Sequence, residues 1–118
     1  MSVLSIVLQV ILGLGFLMFG LMKFGSKQMV EGFKGYGYPG AFRVFTGLIE
    51  VIAAGLVIAG LWIDGLAAWG GLLIVVTMIG AILTHIKIKD QLKQMLMPII
   101  LLILGLVVFL INYGSLFV

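Results

Sequence analysis

The sequence predicts an all-α integral membrane protein, a four-helix bundle with short antiparallel connections. Three observations predict it. Of 118 residues, 64% are hydrophobic and only 9% charged, whereas a soluble domain carries about 25% charged residues to cover its surface. The apolar residues gather into four stretches, each close to the roughly 20 residues that cross a bilayer as a helix. All seven Lys and Arg residues fall at or between the ends of alternate stretches, on one side of the expected bundle.

The expected spans are residues 3–22, 44–63, 65–86 and 95–113, within a single domain over 1–118. Backbone that crosses hydrocarbon must satisfy its own hydrogen bonds, so each span reads as a helix. A membrane strand would alternate apolar and polar residues, and these stretches do not. The 17 glycines suit close helix packing.

The connections differ in length. The second, around Asp64, is nearly absent, so spans two and three form a tight hairpin. The third, residues 87–94, is short and basic. The first, residues 23–42, is the long one: residues 29–33 suit a turn of interfacial helix, and Gly35-Tyr36-Gly37-Tyr38-Pro39-Gly40 is a turn-rich break.

Lys23, Lys27, Lys34 and Arg43 flank the first connection, and Lys87, Lys89 and Lys93 fill the third; the other side carries only Asp64. The positive-inside rule therefore places both basic loops in the cytoplasm and both termini outside the cell membrane. Trp62, Trp69 and Tyr113 would form the outer aromatic belt, with Phe33, Tyr36, Tyr38 and Phe42 near the inner one. The first span has its lysines after the apolar core rather than before it, the reverse of a secretory signal, and is expected to be a retained helix.

Small and polar residues recur at near-heptad spacing in each span and mark the helix contacts, because apolar side chains gain nothing by turning inward from lipid. These seams are Gln9, Gly13, Phe16, Gly20 and Lys23; Arg43, Thr46, Gly47, Glu50 and Ala54; Gly70, Thr77 and Thr84 with Met78, Ala81 and His85 beside them; and Pro98, Gly105 and Asn112. Pro98 is expected to begin the fourth helix rather than kink it.

Glu50 is the costliest residue in the chain, since a carboxylate within a span carries a penalty of about 2.5–3.5 kcal/mol on insertion scales. It lies seven residues beyond Arg43, about 10 Å further along the same helix face. Lys23 ends the first span and His85 the third on that same side, so three helices deliver Lys23, Glu50 and His85 to one depth. Two readings of Glu50 stand side by side: a structural ion pair or hydrogen-bond clamp with Lys23 or Arg43, and a pocket or proton-transfer role. His85 reads either as an interfacial cap or as a proton-exchanging group. Lys23 and Arg43 also suit snorkelling anchors.

Composition removes several chemistries. There is no cysteine, so thiolate catalysis, disulfide relay, iron–sulfur clusters and cysteine zinc sites are excluded. One histidine cannot supply paired axial haem ligands, and no carboxylate spacing suggests a metal site. No phosphate loop or basic run points to nucleotides or nucleic acid.

Three segments, Gly13-Leu14-Gly15-Phe16-Leu17-Met18-Phe19-Gly20-Leu21-Met22-Lys23, Gly35-Tyr36-Gly37-Tyr38-Pro39 and Gly47-Leu48-Ile49-Glu50-Val51-Ile52-Ala53-Ala54-Gly55, stand in order with His85 closing the third span. Together they resemble the DoxX-like family of small four-helix membrane proteins. The resemblance covers nearly the whole chain and implies that Lys23, Glu50 and His85 occupy family-typical positions. It also implies an accessory or ligand-binding role in quinone-linked membrane redox or oxidative-stress processes, at most as a subunit of a membrane oxidoreductase. In that role a bound quinone is held by Glu50 and His85, Tyr36 or Tyr38 covers the pocket, and a membrane redox partner carries the electrons. The alternatives are a small proton-coupled carrier, which four short spans would form only as a homo-oligomer, and a membrane chaperone or scaffold without chemistry of its own.

Overall fold

The computed structural model describes residues 3–63 and 65–114; Asp64 lies outside them. Five helices follow one another: α1 (Val3–Gly25), α2 (Lys27–Tyr36), α3 (Gly40–Ala59), α4 (Leu66–Lys87) and α5 (Leu92–Asn112). Four of them, α1, α3, α4 and α5, are long and apolar enough to cross a membrane. The longest dimension of the fold is 43 Å, matching a bilayer of about 40–45 Å including its headgroup regions. Leu14, Leu17 and Leu21 of α1 and Ile100, Ile103 and Leu110 of α5 are exposed, as the lipid-facing side of a membrane bundle must be.

The helix order around the bundle is α1, α3, α4, α5, and glycine sets each of the first three contacts. A Cβ at Gly20 of α1 would lie 2.8 Å from the Gly47 carbonyl oxygen of α3. One at Gly70 of α4 would lie 2.5 Å from Val57 of α3, and one at Gly71 would lie 2.8 Å from the Gly105 carbonyl oxygen of α5. In lipid, dispersion between closely approaching backbones replaces the hydrophobic effect as the association force. Of the seams read from the sequence, Gln9, Gly13, Phe16 and Gly20 in α1, Gly47, Glu50 and Ala54 in α3, Gly70 and Met78 in α4, and Pro98 and Gly105 in α5 are buried, while Lys23, Arg43, Thr46, Thr77, Ala81, Thr84, His85 and Asn112 are half-buried.

Contact between α1 and α5 is slighter and includes a polar cluster at the end opposite the basic loops. The Asn112 amide donates to Ser5 Oγ at 3.0 Å, Ser5 donates to Gln9 Oε1 at 2.7 Å, and the Gln9 amide donates to the Val57 carbonyl at 2.9 Å. Ser5 and Gln9 are fully buried and hydrogen-bonded, as buried polar groups must be.

Four boundaries differ from expectation for local reasons. The second spanning helix runs four residues earlier, because the Pro39 carbonyl accepts from Phe42 and Arg43 and opens α3 there. It stops at Ala59 because the chain reverses at Gly60, where a Cβ would lie 2.5 Å from the Ala67 amide nitrogen. The interfacial segment is a full ten-residue helix, α2, rather than one turn. Pro98 does not begin α5: the helix starts at Leu92 and Pro98 lies inside it. The preceding residues, from Leu92 to Met97, are good helix formers, and a proline in the second turn removes one hydrogen bond near an end that already lacks several.

The glycine contacts yield a direct test. Gly20→Ala should destabilise the bundle by about 1–3 kcal/mol, the range for overpacking a filled site, because its neighbour is backbone that cannot swing away. Gly15→Ala, where a Cβ meets nothing within 4 Å, should be neutral or slightly stabilising. Chemical unfolding in detergent measures both.

Candidate functional site

At the basic-loop end the helices enclose a cavity of about 610 Å³, lined by residues from all five helices. Phe16, Phe33, Phe42, Leu73, Met78 and Leu101 contribute apolar walls. Among the polar groups that line it are Lys23, Glu50, Tyr36, Tyr38, Thr84 and His85. Phe45, Val76 and Leu83 also line it and are each more than half exposed, so the cavity communicates with the lipid-facing surface.

Lys23 and Glu50 form its charged wall. Lys23 Nζ lies 2.8 Å from Glu50 Oε1, and Glu50 is only 2% exposed. The pair exists because α1 and α3 touch without side chains between them. A Cβ at Gly47 would sit 2.9 Å from Lys23 Cβ, so the lysine stem lies across the glycine on its way to the carboxylate one turn along. Arg43 does not line the cavity. Its guanidinium donates to the Lys23 backbone carbonyl, where a cation complements the partial negative charge of a helix C-terminus.

His85 reaches the cavity from α4, but its hydrogen-bond partner is Asp90: Nδ1 and Oδ2 are 2.8 Å apart. The first connection folds against that end. α2 closes with Gly37 in the left-handed conformation, its N–H bonded to the Lys34 carbonyl and the next N–H, of Tyr38, to the Phe33 carbonyl. This turns Tyr38 back onto α4, where its hydroxyl is 3.0 Å from Thr84 Oγ1. Thr84 spends its own proton on the Gly80 carbonyl, so Tyr38 is the donor. The Tyr36 ring stands edge-on to His85 at 6.4 Å, and Lys87 Nζ lies 4.4 Å from the Tyr38 ring centre while donating to the Tyr36 carbonyl. Burial pushes the Tyr36 phenol above its ordinary pKa, and the Asp90 charge pushes the same way.

The structure thus brings together Lys23, Glu50, His85, Tyr36 and Tyr38, and places Arg43 outside. Sequence reasoning does not single out Asp90; its position five residues after a helix-terminal histidine is the available signal. Among the described residues, no three His, Asp or Glu side chains cluster closely enough to hold a metal ion.

A family model described as the DoxX-like family matches residues 7–108. The chain belongs to the DoxX-like family. The matched region contains Lys23, Tyr36, Tyr38, Arg43, Glu50, His85 and Asp90. One relative in length and sequence is the uncharacterized protein YdgD of Bacillus subtilis (strain 168). It is 31% identical over 111 residues, which cover 92% of this chain and 97% of the relative. No solved structure matches closely enough to count as a relative.

Two outcomes are expected of the site. Lys23→Met or Glu50→Leu alone leaves one charge buried without its partner and should destabilise the protein by about 3–5 kcal/mol, whereas the double replacement should recover most of that loss. Unfolding in detergent gives the comparison. Second, the Tyr36 phenol should ionise above the ordinary range, read as the wild-type minus Tyr36→Phe difference in an alkaline absorbance titration. Asp90→Asn should bring that ionisation down, because a negative neighbour disfavours phenolate.

Proposed function

We propose that this multi-pass DoxX-like membrane protein binds a lipid-soluble quinone, in its oxidised or reduced form, as an accessory component of membrane redox or oxidative-stress chemistry. The observation that carries the reading is the cavity itself. Its volume of about 610 Å³ falls within the roughly 300–1,000 Å³ of small-molecule sites, which pair apolar walls with a few convergent polar groups. Its opening beside Phe45, Val76 and Leu83 suits a ligand arriving from lipid rather than water.

The residues present fit such a ligand. Phe16, Phe42 and Phe45 supply faces for a flat ring. Lys23 spends one of its three N–H donors on Glu50 and retains two for a ligand oxygen. His85 offers a ring nitrogen from α4. A bound quinone supplies two-electron, two-proton redox chemistry, its electrons coming from a membrane redox partner. Glu50 and His85 can hold and exchange protons, being carboxylate and imidazole. The basic end is proposed to face the cytoplasm, which gives those protons a short route from the aqueous side.

The packing between the two polar ends favours a pocket sealed from the opposite end of the bundle over a proton-coupled carrier. Leu12, Phe16 and Ile74 are at most 1% exposed and fill the bundle between the Ser5–Gln9 cluster and the Lys23–Glu50 pair. A scaffold role needs only the ion pair and not the cavity.

Glu50→Gln, whose amide oxygen can still accept from Lys23, should weaken binding of a short-tailed benzoquinone about tenfold, the factor for losing roughly 1.4 kcal/mol. Equilibrium dialysis in mild detergent measures it. Equal affinity of wild type and variant would sink this reading.

A further inference from the structure

The connection between α4 and α5 is held in an unusual conformation. α4 closes with Lys89 N–H on the Ile86 carbonyl at 3.0 Å and Asp90 N–H on the His85 carbonyl at 2.9 Å, the paired closure of a Schellman motif. That closure requires one left-handed residue, normally glycine. Here it is Lys89, with φ at 56°, the one non-glycine residue of positive φ among those described. α2 uses the same closure with Gly37, and the residue that follows the left-handed turn, Tyr38, is thrown back onto α4. After Lys89 the corresponding residue is Asp90, and it is thrown back onto His85.

The carboxylate is held from both sides. Oδ2 meets His85 Nδ1 at 2.8 Å, and Oδ1 accepts from the Gln91 N–H at 3.2 Å, just before α5 begins. An ionised carboxylate only accepts, so Nδ1 must carry the hydrogen between them, and in a neutral imidazole Nε2 is then a bare acceptor. His85 lines the cavity and Asp90 does not, so Nε2 is the nitrogen left for a ligand. The nearest cation on α4, Lys87, is engaged with α2 instead, through the Tyr36 carbonyl and the Tyr38 ring.

We propose that Asp90 is a positioning residue that fixes His85 as its Nδ1–H tautomer, so that the cavity presents an Nε2 acceptor and prefers the hydroxyl-bearing quinol over the quinone. This rests on the cavity being a quinone site. A quinol O–H donates to a bare Nε2; a quinone carbonyl facing it finds no hydrogen. Lys23 serves either form, because hydroxyl and carbonyl oxygens both accept. Discrimination therefore falls to the imidazole, and the imidazole is set by Asp90.

The chain has one histidine, so ring ¹⁵N shifts of histidine-labelled protein in detergent report His85 alone. At alkaline pH, where an ordinary imidazole is neutral, wild type should show a protonated Nδ1 and an unprotonated Nε2. Asp90→Ala should abolish that preference, and Lys89→Gly, which suits the left-handed turn, should keep it. Dialysed anaerobically, a short-tailed benzoquinol should bind wild type about threefold to tenfold more tightly than its quinone, the range for one hydrogen bond. Asp90→Ala should erase the difference.

A wild-type imidazole protonated at Nε2, or shifts that ignore Asp90→Ala, would overturn the positioning role. A tautomer that responds as expected, beside a quinol preference that does not, would overturn the selectivity while leaving the cavity as a ligand site. If wild type binds neither form, the quinone reading and the selectivity fall together, and the shifts alone decide what Asp90 does to His85.

Discussion

Two absent side chains, at Gly20 and Gly47, govern what the rest of this structure can do. They let the α1 and α3 backbones approach until a Cβ on either glycine would fall 2.8 Å from the other's carbonyl oxygen. That approach brings the Lys23 stem across Gly47 and its ammonium to Glu50. In lipid, a glutamate needs a partner, a proton or water, and here the partner arrives through backbone contact. The ion pair is thus a consequence of helix packing as much as a cause of it. With any larger residue at either glycine, the lysine would be held away from the carboxylate it neutralises.

Two further devices organise the rim of the cavity. α2 and α4 both end in a left-handed residue, and in each case the next side chain folds back onto the end of α4. Tyr38 does so through Thr84, and Asp90 through His85. The cavity thereby acquires a charged wall made by helix packing and a polar rim made by helix termination. The lipid-facing gap beside Phe45, Val76 and Leu83 remains. Such a site is open to a membrane-soluble molecule and rich in hydrogen-bonding groups, a combination that membership of the DoxX-like family alone does not specify.

Much of the bundle was legible in the sequence because its solvent is so demanding. A chain with four apolar runs and cations between alternate runs has few ways to satisfy its backbone in hydrocarbon. The seams were legible for the same reason: where lipid competes equally for every leucine, small and polar residues such as Gly13, Gly47 and Gly105 are left to mark contacts. Boundaries were less legible. Hydropathy does not register that Pro39 supplies the first acceptor of α3, or that Gly60 must pass against Ala67. Pro98 was misplaced because a proline near a helix end fits its first turn and its second almost equally well. Within the site, Lys23, Glu50 and His85 could be gathered by counting turns from a common membrane face. Asp90 could not, since its approach depends on a left-handed lysine that no residue preference announces.

By itself the sequence determined the membrane class, the number of crossings, the seams and the end of the bundle where the ionisable groups collect. These follow from composition and periodicity, which act on every residue alike through the exclusion of water. Only the tertiary structure decided that Glu50 pairs with Lys23 while Arg43 turns to a backbone carbonyl, and that His85 answers to Asp90 and lines a cavity open to lipid. Such choices depend on differences of an ångström or two between groups at the same depth. Separations that fine are set by how closely two backbones meet and how one turn ends, and hydrophobic patterning carries no record of either.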